Sequence, residues 1–526
     1  MTEPDVLVLP PSAVTQSTEY STFLPFTFCS KSVISDNNDI GEDNVNRSNQ
    51  HFYNIGSLNA ISKTKNLEKP LKSAFKRRKV EDRYKLQKAI GSGSFATVFA
   101  ATDTVNNETV AIKNMSTMLL NNRDIKRALR EIIALHLLKQ HPNIVQLKRV
   151  CRLSNNKYKL CLVMEHMDTD LYRIIHSDQH FTHDHIKLFM YQILSAVAYM
   201  HSINIIHRDL TLRNILINQD CLIKLADFGM CRYIGNMDNN SIDLINKTQD
   251  TAQAQVTQDT TEVIQDIFKI KQDISQGIQA VPNSIQDMPQ VSQMTTSKGS
   301  PTTSKKHKRT FTNHVVTRYY RAPEIVLLTN SQTTAVDMWS VGCIFFEMMQ
   351  MLPESNCTFQ ERQELFKSDT CFPLSNCCCR TTVNDVCICE NQELNYTRET
   401  DHLNVVCDIL GTPNKTRLDW IDNPMSKNYI LNLQAKQPNL NLQSNLRTFM
   451  GTDAIDLLDK LLQFDPTKRI SAVEALNHPY LKSMVNSDVL LKNQQFGADE
   501  LEQVFDFEDQ YVDSTYLLKI IEAYKS

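Results

Sequence analysis

Short apolar runs separated by polar residues predominate between Tyr84 and Met167. Val98-Phe99-Ala100 and Val110-Ala111-Ile112 are two of these runs, and Asn106-Asn107 lies between them. Short runs bounded by turn-forming residues are typical of β-strands, and Asn tolerates the backbone of a tight turn. The pattern therefore predicts a β-hairpin here, within a region composed mostly of strands.

Helical spacing occurs once in this region and becomes general after Asp168. Leu129, Ile132 and Ile133 are spaced as on one face of a helix, which predicts one helix among the strands. Beyond Asp168 the same spacing recurs, for example from Leu188 to Met200. We therefore expect an α+β fold in which a small β-rich lobe precedes a larger α-helical lobe.

Three polar segments depart from both patterns. Residues 1–80 are rich in Ser, Thr and Asn and are expected to form a disordered N-terminal extension. Residues 235–309 are dominated by Gln, Asn, Asp, Thr and Ser and are expected to form a solvated insertion. Isoleucines from Ile264 to Ile278 predict a surface helix inside it, with partner docking as the alternative. Residues 353–399 form a second predicted insertion.

Cysteines are concentrated in this second insertion, at Cys371, Cys377, Cys378, Cys379, Cys387 and Cys389. Zinc sites usually pair cysteines separated by about two to four residues. Three adjacent cysteines do not fit that spacing, so we expect loop thiols here rather than a metal site.

Composition and charge exclude several classes of protein. Charged residues make up 22% of the 526 residues and apolar residues 41%, as in an ordinary globular protein. The net charge of −3 argues against a general nucleic-acid-binding protein. No apolar run approaches the roughly 20 residues that span a bilayer, and Met1-Thr2-Glu3 lacks the basic start of a secretory signal. We therefore expect a cytoplasmic or nuclear protein that binds neither nucleic acid nor membrane, with its 14 cysteines largely reduced.

A glycine-rich segment precedes a lysine that ends the predicted hairpin. In Gly91-Ser92-Gly93-Ser94-Phe95-Ala96-Thr97-Val98, the glycines let backbone N–H groups approach phosphate oxygens closely. A dinucleotide-binding loop would open a helix and be followed by an acidic residue about 20 positions later. Here a strand follows instead, and Lys113 ends the next one. The order of these residues indicates a phosphate-binding loop between strands.

Two carboxylates and an amide are grouped further along the chain. Asp209 follows His207-Arg208, Asn214 comes shortly after it, and Asp227 begins Asp227-Phe228-Gly229. Phosphoryl transfer requires a carboxylate that orients the attacking hydroxyl, and oxygen ligands for magnesium on the nucleotide phosphates. Asp209 is the candidate for the first role, and Asn214 and Asp227 are the candidates for the second.

The order of these motifs resembles that of the eukaryotic protein kinases. The motifs are the glycine-rich segment, Lys113, Glu131, His207-Arg208-Asp209, Asn214, Asp227-Phe228-Gly229 and Ala322-Pro323-Glu324. The mitogen-activated protein kinases are the subfamily that the chain is most similar to, through Val163 to Leu171, Thr312 to Glu324, His402 to Pro413, Phe464 to Ile470 and His478 to Leu481. The resemblance covers about residues 84–526, apart from the insertions.

This resemblance implies the bilobal protein kinase fold. The kinase domain would occupy residues 84–482, with an N-lobe at 84–167 and a C-lobe at 168–482. Residues 483–526 would be a C-terminal extension that packs back on the kinase domain. The implied activity is transfer of the ATP γ-phosphate to Ser or Thr, with Mg²⁺ and with preference for a following Pro. The implied partners are protein substrates and an upstream activator, and the implied state is a monomer.

The resemblance also implies roles for individual residues. Asp209 would orient the substrate hydroxyl, and Asn214 and Asp227 would ligate magnesium. Lys113 would hold the α- and β-phosphates, and Glu131 would fix Lys113 through an ion pair. The implied ATP site consists of Gly91, Ser92, Gly93, Ser94, Phe95, Ala96, Val98, Ala111, Lys113, Glu131, Met164, Glu165, Met167 and Leu216. Three further implied features are stacking of His207, Phe228 and Leu135, anchoring of the catalytic loop by Asp337, and pairing of Glu324 with Arg469.

Thr312 would be the phosphorylation switch of this family. A phosphate there adds roughly −1.5 to −2 charges, and the arginines implied to bind it are Arg130, Arg208 and Arg232. The family carries a Thr-x-Tyr pair, but this chain has His314 in the third position. We therefore predict control by one phosphate, on Thr312.

The second departure from the family pattern is Thr211, where serine/threonine kinases carry a Lys that neutralises the transferred phosphate. Arg213 is the candidate replacement for this charge, because tyrosine kinases of the receptor type keep an Arg four residues after the catalytic Asp. This leaves two alternatives to a serine/threonine kinase, namely a dual-specificity kinase and a pseudokinase scaffold. The retained Lys113, Asp209 and Asp227 argue against the scaffold.

Overall fold

The computed structural model describes residues 83–92, 96–115, 121–152, 160–235, 318–329, 332–371, 382–383, 386–387, 400–414, 418–484, 498–512 and 516–517. The predictions for residues 1–80, for the insertion at 235–309 with its helix between Ile264 and Ile278, and for Thr312 concern residues outside this part of the chain, apart from Gly235. The described residues fall into two compact units. Unit 1 lies within Met1–Leu119, Leu147–Thr169 and Ile217–Leu222, and unit 2 lies within Leu120–Gln146, Asp170–Leu216 and Ile223–Ser526.

A five-stranded antiparallel sheet forms unit 1. Its strands are β1 (Tyr84–Ser92), β2 (Thr97–Asp103), β3 (Glu108–Asn114), β4 (Leu147–Arg152) and β5 (Leu160–Glu165), in the order β1-β2-β3-β5-β4. The predicted hairpin is confirmed as β2 and β3, in which Ala100 pairs with Ala111. Asn107 has a φ of 52°, a left-handed turn conformation that Asn tolerates.

One face of this sheet buries an apolar cluster. The cluster contains Tyr84, Phe99, Ala101, Val110, Ile112, Cys151, Cys161 and Val163. Phe99 and Ile112 are at most 2% exposed, and burial of each such side chain contributes about 1.5–3 kcal/mol. The packed face therefore fixes the strand register, since a slip of one residue would turn these side chains toward solvent.

Helices predominate in unit 2. They are α1 (Asn122–Leu137), α2 (Leu171–Ile175), α3 (His183–Ser202), α4 (Pro323–Val326), α5 (Ala335–Met349), α6 (His402–Leu410), α7 (Pro424–Asn432), α8 (Leu440–Phe449), α9 (Thr452–Leu461), α10 (Ala472–Leu476) and α11 (Ala498–Val504). The short strands outside the first sheet are β6 (Thr169–Asp170), β7 (Ile205–Ile206), β8 (Ile215–Ile217), β9 (Ile223–Leu225), β10 (Arg232–Tyr233), β11 (Thr382–Val383) and β12 (Val386–Cys387).

The two helices expected from apolar spacing are present as α1 and α3. Asn121 caps α1, because its side-chain oxygen accepts a 2.9 Å hydrogen bond from the backbone N–H of Asp124. The buried face of α1 packs on the 3₁₀ turn Phe228–Met230, where the side chain of Arg127 lies against Gly229. This packing explains why α1, which the predicted N-lobe range includes, belongs to unit 2.

The predicted insertion at 353–399 is described only in part. Cys371 is buried, while Cys377, Cys378, Cys379 and Cys389 lie outside the described residues. The described residues contain no group of His, Cys, Asp or Glu arranged to hold a metal ion. Among the helices that the structure describes, none is long and apolar enough to cross a membrane.

Candidate active site

Several residues predicted to bind ATP lie side by side in the sheet of unit 1. Gly91 pairs with Val98, and Val98 pairs with Lys113 on the next strand. Ala111 pairs with Met164. Hydrogen-bonded pairing thus brings the end of the glycine-rich segment, the predicted ATP-site residues Val98, Ala111 and Met164, and the lysine to one sheet. Gly93, Ser94 and Phe95 lie outside the described residues, and Ser92 and Ala96 border that gap.

The catalytic loop of unit 2 is held by one buried carboxylate, as predicted for Asp337. Its Oδ2 accepts a hydrogen bond of 2.8 Å from the backbone N–H of His207, and its Oδ1 accepts one of 2.8 Å from that of Arg208. His201 Nε2 lies 2.9 Å from Oδ2. Burial opposes ionisation of Asp337, but the hydrogen bond to His201 and the surrounding groups lower its pKa. The charged carboxylate fixes the backbone just before Asp209.

Asp209 and Asn214 are joined directly. Asn214 Nδ2 donates hydrogen bonds of 2.8 Å to the backbone oxygen of Asp209 and of 3.3 Å to its Oδ2. Because the amide nitrogen is used in this way, the Oδ1 atom of Asn214 is the one available to a cation. A carboxylate and an amide oxygen are the donors that magnesium prefers, so Asn214 and Asp227 fit the predicted metal role.

A left-handed backbone presents Asp227. Its φ is 63°, and Arg208 has a φ of 68°. Such residues cost about 1–3 kcal/mol each and occur preferentially at functional sites. The neighbouring Ala226 is bound on both sides, since its N–H donates to the Asn214 oxygen at 2.9 Å and its oxygen lies 3.1 Å from His207 Nε2. Asp227 is thereby tied to the loop that carries Asn214.

Two apolar contacts support this arrangement. The ring centres of His207 and Phe228 lie 4.8 Å apart, so the predicted contact between them is confirmed, but the ring planes are tilted by 55° rather than stacked. Leu135 is fully buried in α1. A Cβ atom added to Gly229 would come within 2.9 Å of Arg127 Cγ, so glycine is needed at that position for α1 to pack closely.

Sequence reasoning missed Arg127. This cation is one helical turn before Glu131 on α1, and it interacts electrostatically with Asp227, Asp124 and Asp209. Burial lowers the pKa of Arg127, and the attraction of these carboxylates opposes the shift. The available signal was its position one turn before Glu131 on the same helix face.

Arg213, the predicted replacement for the missing lysine, is exposed and lies over an aromatic ring. Its guanidinium carbon is 3.6 Å from the centre of the Tyr172 ring, within cation–π distance. It also attracts Asp170, although burial raises the pKa of that carboxyl. Thr211 is buried. The role of Arg213 in neutralising the transferred phosphate stays a prediction.

The structure brings together the three arginines predicted to bind a phosphate. Arg130 and Arg232 both contact the carboxylate of Glu508, and Arg208 interacts electrostatically with all three of these groups. The sequence analysis assigned residues 483–526 to a C-terminal extension but gave the carboxylate of Glu508 no role. No local signal distinguishes Glu508 from the acidic residues near it, although the neighbouring Phe505 and Phe507 prove to be buried.

The predicted pair of Glu324 and Arg469 is confirmed. Arg469 Nη1 and Nη2 donate to the two carboxylate oxygens of Glu324 at 2.6 and 3.0 Å. The guanidinium also lies 5.1 Å from the Trp339 ring centre on α5. This pair ties the Ala322-Pro323-Glu324 motif to the segment that follows α9.

Comparison with known proteins gives the family of the chain. A family model for the protein kinase domain matches residues 84–259 and 298–481, more than half of the sequence. Extracellular signal-regulated kinase 1 of Dictyostelium discoideum is 30% identical over 409 residues, which cover 77% of this chain and 56% of that protein.

Two further relatives agree. Mitogen-activated protein kinase 5 of Arabidopsis thaliana is 30% identical over 397 residues, covering 75% of this chain and 76% of that protein. Mitogen-activated protein kinase spm1 of Cytospora mali is 32% identical over 406 residues, covering 77% of this chain and 71% of that protein. Such kinases act on protein substrates and in general use ATP and Mg²⁺. The chain therefore belongs to the protein kinases, and within them it is a serine/threonine kinase of the mitogen-activated type.

Proposed function

We propose that Asp209 is the catalytic carboxylate that orients the substrate hydroxyl for attack on the ATP γ-phosphate. The observation that carries this assignment is the double hydrogen bond from Asn214 Nδ2 to Asp209. It joins the carboxylate to a magnesium ligand within one loop, and Asp337 holds the backbone of that loop. Phosphoryl transfer depends on positioning and electrostatic stabilisation, and a fixed loop supplies both.

The same proposal assigns the residues that bind the nucleotide and its magnesium ion. Asn214 and Asp227 hold the magnesium ion, which supplies charge neutralisation on the phosphates when bound. Lys113 holds the α- and β-phosphates with Glu131 as its partner. The ATP site also includes Gly91, Ser92, Gly93, Ser94, Phe95, Ala96, Val98, Ala111, Met164, Glu165, Met167 and Leu216.

We further propose that the acceptor is Ser or Thr followed by Pro. The segment Arg318–Ala322 resembles that of proline-directed kinases and is firmly anchored in the structure. The Ser340 hydroxyl donates to the Tyr320 oxygen at 3.0 Å, and His402 Nε2 lies 2.9 Å from the Arg321 oxygen. A rigid peptide-binding segment supports selection of the residue after the acceptor.

An upstream kinase or autophosphorylation raises activity through a single phosphate on Thr312. Arg130, Arg208 and Arg232 are the cations that bind this phosphate. A phosphate opposite an arginine cluster forms about 1–3 new charge-assisted hydrogen bonds, and these bonds order the loop that carries it. Since α1 carries both Arg130 and Glu131, an anion bound there also fixes the helix that holds the partner of Lys113.

One experiment tests these assignments together. Purified chain is incubated with magnesium-ATP and a library of Ser, Thr and Tyr peptides, and products and chain are analysed by mass spectrometry. We expect the parent to transfer phosphate to Ser/Thr-Pro peptides and Asp209→Asn to transfer none. Thr312→Ala should have the activity of the unphosphorylated chain. Transfer to Tyr, or full activity of Thr312→Ala, would contradict the proposal.

Arg213 is tested separately by kinetics. If its guanidinium leaves Tyr172 to neutralise the transferred phosphate, Arg213→Ala should lower kcat about 100- to 1,000-fold. Tyr172→Leu is the informative companion, because it removes the stacking partner and keeps the cation. An unchanged kcat for Arg213→Ala would show that the charge missing at Thr211 is not replaced by this residue.

A further inference from the structure

The anion site formed by Arg130, Arg208 and Arg232 already contains a carboxylate. Arg130 Nε and Nη2 donate to Oε1 and Oε2 of Glu508 at 2.5 and 2.7 Å. Arg232 Nη1 lies 2.6 Å from Oε2. Both carboxylate oxygens are thus engaged by arginines, so a phosphate could enter the same contacts only by displacing Glu508.

The segment around Glu508 is held in place by several independent contacts. Lys126 Nζ donates to the backbone oxygen of Glu508 at 2.6 Å, and Asn122 Nδ2 donates to that of Val512 at 3.1 Å. The buried ring of Phe505 stacks on Tyr233 at 5.6 Å. The carboxylate is therefore aimed at the arginines by its backbone and neighbours, and the contact does not depend on one flexible side chain.

Charge does not balance among the four buried side chains. Arg130, Arg208, Arg232 and Glu508 are each at most 8% exposed, and three guanidinium groups face one carboxylate. Burial and the two neighbouring arginines lower the pKa of Arg208 to about 9, which still leaves it charged at neutral pH. A phosphate of about −1.5 to −2 charges matches this excess better than one carboxylate does.

The elements joined by Glu508 are those that a bound phosphate would join. Arg130 lies on α1 beside Glu131, and Arg232 lies on β10, which pairs with β7 just before His207 and Arg208. We propose that Glu508 is a built-in substitute for the phosphate, which links α1 to the catalytic loop while the chain is unphosphorylated. The phosphate on Thr312 then replaces Glu508 in the same site. This proposal rests on the proposed function only for the identity of the competing phosphate.

The test of the site itself does not use kinase activity. Phosphatase-treated parent, Glu508→Gln and Glu502→Gln are unfolded thermally at rising inorganic phosphate, with chloride matching the ionic strength. Glu502 is exposed on the preceding helix, so it is the matched control. We expect saturable stabilisation of Glu508→Gln by phosphate and little response of the other two, because a ligand stabilises only where its site is open. An equal response of all three proteins would overturn the proposal.

Loss of the carboxylate removes the anion that Arg130 and Arg232 both contact, so Glu508→Gln has a risk of misfolding. Glu508→Asp keeps the charge but withdraws it by one methylene, and it provides a second variant. We expect Glu508→Asp to respond to phosphate more than the parent does. A response identical to that of the parent would also overturn the proposal.

Activity provides the second readout. In the unphosphorylated state, Glu508→Gln should turn over peptide about 5- to 150-fold more slowly than the parent, the range of typical coupling between sites, with part of the loss restored by phosphate. Glu502→Gln should match the parent, and parental turnover by unphosphorylated Glu508→Gln would overturn the proposal. If the parent itself transfers no phosphate, the proposed function fails, while the thermal experiment still decides the role of Glu508.

Discussion

Two buried glutamates, Glu324 and Glu508, are bound by arginines in very different ways. Glu324 meets one arginine, Arg469, whose guanidinium also donates to the Ala335 oxygen at 2.5 Å and lies near Trp339. Glu508 meets Arg130 and Arg232 and lies in the field of Arg208. The first site is neutral, whereas the second has more positive charge than its carboxylate can balance.

The difference separates a structural ion pair from an exchangeable one. A neutral pair whose hydrogen bonds are all made gains nothing from another ligand, and removal of one partner leaves a buried charge. A site with excess positive charge binds a stronger anion more tightly than its own carboxylate. The two sites have similar contact distances, but the contact of Glu324 is fixed, whereas that of Glu508 can be replaced by another anion.

The largest effect is expected from opening the neutral pair. Arg469→Met leaves the buried carboxylate of Glu324 without its cation and should cost about 3–5 kcal/mol of unfolding free energy, measured by urea denaturation. Lys468→Met, at a half-exposed neighbour, is the control and should change stability by less than about 0.5 kcal/mol. If inorganic phosphate restored the stability of Arg469→Met, the comparison would fail, because a response to phosphate is expected only at the Glu508 site.

A third buried glutamate, Glu347, extends the comparison to a carboxyl that is hydrogen-bonded to a hydroxyl, that of Tyr320. Burial raises the pKa of Glu347 to about 8, although a hydrogen bond with Tyr320 opposes the shift. Within the described part of the chain, its Oε1 has no hydrogen-bond partner. Glu347 is therefore protonated in the folded protein near neutral pH.

The stabilisation from this protonated carboxyl should depend on pH. The folded pKa lies above the ordinary value of 4.5, so the contribution is complete below about pH 4.5 and is lost as pH rises through about 8. Relative to Glu347→Gln, the parent should lose unfolding free energy over this window, by at most about 1.4 kcal/mol per pH unit. A difference that stays constant from pH 5 to about 8 would mean an ordinary carboxyl pKa.

The smallest effect is expected from removing one cation of the crowded site. Arg208→Met removes a guanidinium that Arg130 and Arg232 repel, so urea unfolding should change by less than about 1 kcal/mol. In the Glu508→Gln background the same substitution should weaken the phosphate response. A stability loss as large as that of Arg469→Met would show that the two sites do not differ in the proposed way.

Much of the fold and of the active site followed from local sequence features. The hairpin around Asn107 and the helix around Glu131 were predicted because turn chemistry and apolar spacing act over a few residues. Asp337 and the pair of Glu324 with Arg469 came from family resemblance and are confirmed by hydrogen bonds.

The features that sequence reasoning missed arise from tertiary contacts. Glu508 reaches Arg130 across 378 residues, and no local pattern distinguishes it from other acidic residues near it. Arg213 looked like an available charge, but its stacking on Tyr172 depends on how α2 approaches the catalytic loop. Side-chain direction at such points is set by packing, which spacing along the chain does not encode.

The contact between Arg130 and Glu508 also has a consequence for biosynthesis. Arg130 leaves the ribosome long before residue 508 is made, so the nascent kinase carries Arg130 before the carboxylate of Glu508 that contacts it exists. A chain broken off before this glutamate would be less stable and more exposed to chaperones and proteases. The contacts of Glu508 with Arg130 and Arg232 can therefore form only after most of the sequence has been translated.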